Sequence, residues 1–165
     1  HPFTASTPAE LAEGMFMRII DDVETAAQAA RVKRVVLCSG KVAVDLFTSE
    51  RRKDNPHVAI IRVEQLYPFP SDLIGEVLQR YSGVREVCWV QEEPENMGAW
   101  EFARPALDAI LDGRWPLRYI GRSRNSSPSE GSSSWHAANQ RAIVDQVFEA
   151  NTESRELDRV LSKQV

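Results

Sequence analysis

The loop that begins at Arg122 carries the side chains best suited to bind an anion. Arg122 and Arg124 supply two guanidinium groups, and a serine-rich stretch over residues 126–134 supplies hydroxyls ahead of a predicted helix that contains His136. Arginine forms paired hydrogen bonds with phosphate, and the free N–H groups of a helix N-terminus favour negative charge. We therefore predict a phosphate-preferring anion site, formed by Lys41, Arg122, Arg124, Ser127 and His136.

Other interpretations of this loop stay open. Glu130 adds negative charge to it, which predicts weak rather than tight anion binding. Alternatively, the serines only cap turns, and Arg122 then pairs with an acidic residue across a subunit interface. His136 and the nearby serines are residue types that form the catalytic pair of serine hydrolases. The chain, however, has no G-x-S-x-G elbow.

The remaining motifs for chemistry are incomplete. Gly40 and Lys41 resemble the end of a phosphate-binding loop, but the earlier glycine is missing and Val42 replaces the hydroxyl residue. Glu92 and Glu93 are adjacent and point in different directions, so they are poorly placed for an acid–base pair. No G-x-G-x-x-G follows any apolar run, which argues against a dinucleotide site, and without Cys-x-x-Cys spacing we predict no metal site in this segment.

Four short apolar runs must position these side chains. They cover residues 35–38, 58–63, 87–90 and 117–120, and helix-length segments separate them. Continuous apolar strands are typical of parallel sheets covered on both faces. The pattern predicts an α/β fold, a three-layer arrangement with a mainly parallel sheet and helices on both faces. The polar residues that follow each run then share the carboxyl edge of the sheet, where such folds bind ligands.

The organisation along the chain predicts one domain over residues 1–148, with an N-terminal segment over 1–30. A capping box at Thr7 predicts a short helix that ends near Gly14. Residues 149–165 are expected to form a tail, either a helix or a frayed terminus.

Composition excludes several classes of protein. The net charge is −4, with 24 acidic and 20 basic residues, so no overall positive field attracts nucleic acid or an anionic membrane. No apolar run approaches the roughly 20 residues of a membrane span. Cys38 and Cys88 lie within apolar runs, which indicates reduced core thiols of a cytosolic protein. The start at His1, without a signal segment, is typical of a piece of a longer chain.

Several stretches, in this order, resemble one family. They are RVVLCSGK at 34–41, RVEQLYPFP at 62–70, WVQEEP at 89–94 followed by Asn96 and GAW at 98–100, and YIGR at 119–122 followed by SSP at 126–128. Residues 1 to about 148 are similar to the C-terminal, transketolase-like domain of the 2-oxoglutarate dehydrogenase first component. That component is the thiamine-diphosphate-dependent decarboxylase subunit of a multienzyme complex.

The resemblance implies an oxidoreductase of the citric acid cycle. The full-length enzyme decarboxylates 2-oxoglutarate and transfers the succinyl group to the lipoyl group of the dihydrolipoyl succinyltransferase component. It uses thiamine diphosphate and Mg²⁺, held by a Gly-Asp-Gly…Asn motif. That motif is absent here, so the resemblance implies that this segment holds neither cofactor, contains no catalytic residue and is inactive alone. The implied location is the bacterial cytoplasm, or the mitochondrial matrix in a eukaryote.

The resemblance also implies that the segment serves homodimerisation and binds an effector such as acetyl-CoA or a nucleotide. We expect Glu92, Glu93 and Trp100 at the subunit interface, because charge, a rigid turn and a large aromatic meet there at a strand end. The alternative is that Trp100 packs within its own domain.

Two other identities stay open. One is a free-standing regulatory domain that binds a phosphorylated ligand. The other is the matching domain of a related thiamine enzyme, such as a pyruvate or branched-chain dehydrogenase or transketolase. The start at His1 favours a fragment over the first alternative, and the stretches at 91–94, 121–122 and 126–128 favour the 2-oxoglutarate family over the second.

Overall fold

The computed structural model describes residues 4–149, which form a five-stranded sheet with helices on both faces. The elements in chain order are α1 (Pro8–Glu13), β1 (Ile19–Ile20), α2 (Val23–Ala26), a 3-10 helix (Ala29–Arg31), β2 (Arg34–Cys38), α3 (Val42–Thr48), α4 (Arg51–Asp54), β3 (Val58–Val63), α5 (Ser71–Arg80), β4 (Glu86–Pro94), α6 (Trp100–Leu111), β5 (Leu117–Arg122) and α7 (Ser133–Phe148). The predicted α/β fold with a mainly parallel sheet is confirmed. Apart from Glu149, the expected tail over 149–165 lies outside the described residues.

The sheet has the strand order β1-β3-β2-β4-β5. Strand β2 pairs in parallel with β3 and β4, and β5 pairs in parallel with β4. Among the described strands, only the short edge strand β1 runs antiparallel, against β3. The connection that leaves β2 leads to β3 on one side, and the connection that leaves β4 leads to β5 on the other side. The sheet therefore has a switch point between β2 and β4. Folds of this type bind ligands at that switch point, outside the carboxyl ends of the strands.

Alternate residues of each strand enter different cores, as the pleat of a strand requires. Leu37 and Trp89 face one core, which α5 and α6 complete. Cys38 and Cys88 face the other core, which α3 and α7 complete. Burial raises the pKa of both thiols to about 12, so neither is a thiolate at neutral pH.

The elements differ from the sequence expectation in two places. The two-residue strand β1 was not expected, because so short a run has no alternation to detect. Strand β4 continues to Pro94, which pairs with Arg122 of β5, so residues 91–94 belong to the strand instead of following it.

A buried ion pair joins the sheet to the end of α7. Arg34 and Glu86 occupy matching positions at the starts of β2 and β4, and Glu86 Oε1 accepts from Arg34 Nε at 2.8 Å and Nη2 at 2.6 Å. Arg34 Nη1 donates to the carbonyls of Val147 at 2.5 Å and Glu149 at 2.8 Å. These carbonyls lie at the helix C-terminus, where the helix itself offers no donor. Arg34 therefore fixes α7 on the sheet.

A second buried carboxylate attaches the N-terminal segment. The side chain of Asp22 accepts from Arg52 Nη2 at 2.9 Å, from Arg52 Nη1 at 3.1 Å and from the backbone N–H of Ile60 at 3.0 Å. The paired contacts with one guanidinium are the strong form of such a bond. Asp22 thus holds the start of α2 against β3 and α4.

Candidate functional site

Polar side chains form one hydrogen-bonded cluster at the carboxyl edge of the sheet. They come from α3, β4, β5, α7 and the loop between β5 and α7. We call this group the edge cluster, and its members are Lys41, Asp45, Glu92, Arg122, Glu130, His136, Asn139 and Gln140.

Arg122 lies at the centre of the edge cluster, and its side chain is 11% exposed. Its Nε donates to Glu130 Oε1 at 2.5 Å, and its Nη1 donates to the backbone carbonyl of Glu92. Its Nη2 lies 3.3 Å from both Gln140 Oε1 and His136 Nδ1. Arg122 therefore pairs with Glu130, a carboxylate of the loop that follows it.

Lys41 joins the edge cluster through two carboxylates. Its Nζ lies 2.6 Å from Asp45 Oδ2 and 3.7 Å from Glu92 Oε1. The hydrogen bond with Asp45 is the main cause that raises the pKa of Lys41. Gln140 Nε2 bridges the same two carboxylates at 2.8 Å each. The carboxylates of Asp45 and Glu92 thus offset the positive charge of Lys41.

Glu130 supplies the carboxylate at the other end of the edge cluster. Its Oε1 also accepts from Asn139 Nδ2 at 2.8 Å, and its Oε2 lies 3.2 Å from His136 Nδ1. These hydrogen bonds, of which that from Asn139 has the largest effect, lower the pKa of Glu130 to about 2. Glu130 is therefore fully charged at neutral pH.

Two of the five residues predicted for the anion site lie outside the edge cluster. Arg124 Nη1 lies 3.2 Å from Glu101 Oε1, and both side chains are exposed. Ser127 bonds within the loop, to the side chain of Asn125 and the carbonyl of Ser129. The structure thus brings together Lys41, Arg122 and His136.

Gln91, for which the sequence predicted no role, organises the other side of this edge. Its buried Oε1 accepts from Trp89 Nε1 and from the backbone N–H of Trp100, both at 3.0 Å. Its Nε2 donates to the carbonyls of Met97 at 2.7 Å and Pro94 at 3.1 Å. One amide therefore holds the turn between β4 and α6. The sequence signal that could have indicated this role is the position of Gln91, a polar residue directly after the apolar run at 87–90.

Gly98 has a structural reason to be glycine in this turn. Its φ is +65°, and a Cβ there would lie 3.1 Å from Gln91 Nε2 and from Glu93 Cβ. A left-handed backbone next to a tight contact favours glycine. The stretch from Gln91 to Trp100 is thus explained by local packing around Gln91.

The side chain of Trp100, expected at a subunit interface, lies in the core of its own domain, as in the alternative given for it. Trp100 is 6% exposed, and its ring centroid lies 5.3 Å from that of Tyr119. The backbone bond to Gln91 fixes the residue at the start of α6, with the ring turned inward. Glu92 joins the edge cluster, while Glu93 is exposed.

Glu93 instead lines a cavity of about 390 Å³ at the switch point between β2 and β4, with Ser39, Leu66 and Phe102 among its other walls. Phe102 is half exposed and packs near Tyr67, whose side chain is 81% exposed, with 6.2 Å between the ring centroids. Large aromatics exposed in this way are unusual for a surface that faces only water.

Among residues 4–149, no three His, Cys, Asp or Glu side chains are grouped so that they could hold a metal ion. None of the helices described there has the length and apolar character needed to cross a membrane.

The fold is an α/β domain with a mostly parallel sheet. At the carboxyl edge of this sheet, polar side chains of the chain itself pair with one another, as Arg122 does with Glu130. Comparison with known families identifies it further. The sequence model for the 2-oxoglutarate dehydrogenase C-terminal family matches residues 5–148, and the chain belongs to this family. The resemblance drawn from the sequence is confirmed.

Named relatives agree with the family. The 2-oxoglutarate dehydrogenase E1 component of Shouchella clausii is 45% identical over 142 residues, which are 85% of this chain and 15% of that protein. The proteins of the same name from an Exiguobacterium species and from Bacillus cereus are 42% and 38% identical, over 87% and 94% of this chain. They are covered over 15% and 17% of their lengths, so this chain spans about one sixth of such relatives.

Proposed function

We propose that this chain is the C-terminal domain of a thiamine-diphosphate-dependent 2-oxoglutarate dehydrogenase subunit and is not itself catalytic. The observation that carries the proposal is the family match over residues 5–148. The complete enzyme would decarboxylate 2-oxoglutarate and pass the succinyl group to the lipoyl group of the succinyltransferase component. Its location would be the bacterial cytoplasm, or the mitochondrial matrix if the source is eukaryotic.

The described residues do not fit a magnesium–diphosphate centre. They offer no group of carboxylates or imidazoles arranged to hold Mg²⁺, and the sequence has no Gly-Asp-Gly…Asn motif. We therefore assign thiamine diphosphate and Mg²⁺ to other parts of the complete enzyme.

The domain's role, in this proposal, is to pack against the rest of a homodimeric enzyme. Its support is the set of exposed apolar side chains on the described surface. Leu11, Met15 and Phe16 of the N-terminal segment are exposed, as are Tyr67 and Phe102 beside Glu93. Exposed apolar groups of this size are typical of surfaces that another protein covers.

We further propose that the edge cluster is an anion-binding site for an effector. Arg122 and His136 supply donors, and α7 contributes the positive end of its dipole. The ligand class is a phosphate-bearing effector such as acetyl-CoA, another CoA ester or a nucleotide. Arg124 and Ser127 have no part in this narrower form of the site.

Titration of the 165-residue chain with thiamine diphosphate and Mg²⁺ tests the assignment of the cofactor. We expect no saturable binding tighter than about 1 mM, which corresponds to about 4 kcal/mol, and no release of CO₂ from 2-oxoglutarate. The complete Shouchella clausii relative, titrated in parallel, is the positive control. Tighter saturable binding to this chain would place a cofactor site within it.

A further inference from the structure

The edge cluster already holds an anion, and it is the chain's own. The Glu130 carboxylate accepts hydrogen bonds from the Arg122 guanidinium at 2.5 Å and the Asn139 amide at 2.8 Å, and it lies 3.2 Å from Nδ1 of His136. All three side chains belong to β5 or α7, whereas Glu130 belongs to the loop between them. A guanidinium, an amide and an imidazole are also donors that a phosphate accepts from.

Apart from the exposed ion pair between Arg124 and Glu101, few contacts join the loop that delivers Glu130 to the elements around it. Residues 123–129 are exposed, so moving them uncovers no core. Asn96 and Asn125 fix the start of the loop through two 2.9 Å hydrogen bonds. Gly131, with open space where a Cβ would lie, follows Glu130 before α7 begins. Glu130 can therefore leave the edge cluster while β5 and α7 stay in position.

The surroundings favour a replacement anion at the same place. His136 and Asn139 lie on the first two turns of the 16-residue helix α7, where the helix dipole is positive. The hydroxyl of Ser132, the residue before α7, makes no cap bond to the helix backbone and lies 2.8 Å from the Ser134 hydroxyl. The donors on β5 and α7 thus form a preorganised anion position without Glu130.

We propose that Glu130 is a tethered competitor in this position, and that a phosphate-bearing ligand binds Arg122, His136 and Asn139 by displacing the Glu130 carboxylate. The proposal rests on the anion site proposed above and states how that site is regulated. Only a ligand that replaces the bonds made by Glu130 opens the site, which makes the edge cluster selective for phosphate over weakly bound anions such as chloride.

The test is a calorimetric titration with inorganic phosphate at pH 7.5 and constant ionic strength. It uses the full 165-residue chain, Glu130→Gln and the matched control Asp108→Asn, which removes one negative charge from an exposed pair on α6. We expect Glu130→Gln to bind phosphate about tenfold more tightly than the unmodified chain and the control do. Adding Arg122→Gln to Glu130→Gln should abolish the binding.

Each other outcome has a distinct meaning. If Glu130→Gln leaves the affinity unchanged while Arg122→Gln removes binding from the unmodified chain, the anion site stands and the competitor is refuted. If phosphate binds neither chain, the anion site itself is refuted, although the family assignment is untouched. A measurement without substitution guards against misfolding of the variant: the ¹³C signal of the Glu130 carboxyl should shift when the unmodified chain is saturated with phosphate. A fixed signal at saturation refutes displacement.

Discussion

Arg34→Met is expected to lower the free energy of unfolding by about 3–5 kcal/mol, because it breaks a buried ion pair on one side only. Both side chains of the pair are almost fully buried, and Glu86 would lose its bound guanidinium. The carbonyls of Val147 and Glu149 at the end of α7 would lose their donor as well. Urea unfolding at pH 7, followed by circular dichroism, measures the change.

Two comparisons make the Arg34 experiment specific. Arg104→Met removes an exposed guanidinium from an ion pair on α6 and should change stability by no more than about 0.5 kcal/mol. The double variant Arg34→Met, Glu86→Leu should be more stable than Arg34→Met alone, since it buries no uncompensated charge. A loss below about 1 kcal/mol in the single variant would show that the ion pair does not hold α7 on the sheet.

Gln91→Glu is expected to destabilise the domain by about 3 kcal/mol or more, although the two side chains have nearly the same shape. A carboxylate can still accept from Trp89 and from the backbone of Trp100. It cannot donate to the carbonyls of Pro94 and Met97, and it brings a buried negative charge against them. Chemical unfolding gives the size of the effect, and near-ultraviolet circular dichroism reports the surroundings of the two tryptophans.

Gln79→Glu is the matched control for this variant. It makes the same chemical change on an exposed position of α5 and should alter stability by less than about 0.5 kcal/mol. Equal effects at positions 79 and 91 would contradict the role of Gln91 in the turn between β4 and α6.

The three inner strands of the sheet were predictable because they are buried on both faces. The runs in β2, β3 and β4 are continuous and apolar, and each lies between segments with helical spacing. The capping box at Thr7 also predicted α1 and its end at Gly14. The end of β4 was not predictable in the same way, since Glu92 and Glu93 are charged and stay in the strand only because β5 pairs with it.

The sequence predicted three residues of the candidate site, but it did not predict which charged side chains pair with each other. Lys41 and Arg122 were expected on one edge because both follow strands of a parallel sheet, and the predicted start of the last helix added His136. The distances that join Arg122 to Glu130 and Arg124 to Glu101 depend on the path of an irregular loop, which has no periodic pattern. Trp100 shows the same limit, because only packing decides whether a tryptophan at a helix start faces a partner or its own core.

Arg34 and Glu86 form an intermediate case. Both stand at the first position of a predicted strand, so their pairing follows once β2 and β4 are known to be neighbours in register. Their link to α7 does not follow, because nothing in the sequence tells which strand end the last turn of that helix reaches.

The central claim is that this chain serves as the C-terminal domain of a 2-oxoglutarate-decarboxylating enzyme. The most direct test is a chimera of the Shouchella clausii relative in which the matching segment is replaced by this chain. We predict that the chimera decarboxylates 2-oxoglutarate with thiamine diphosphate and Mg²⁺, measured by reduction of an artificial electron acceptor, whereas the relative truncated before that segment does not. A soluble chimera of the expected size that binds the cofactor yet is no faster than the truncated protein would contradict the claim.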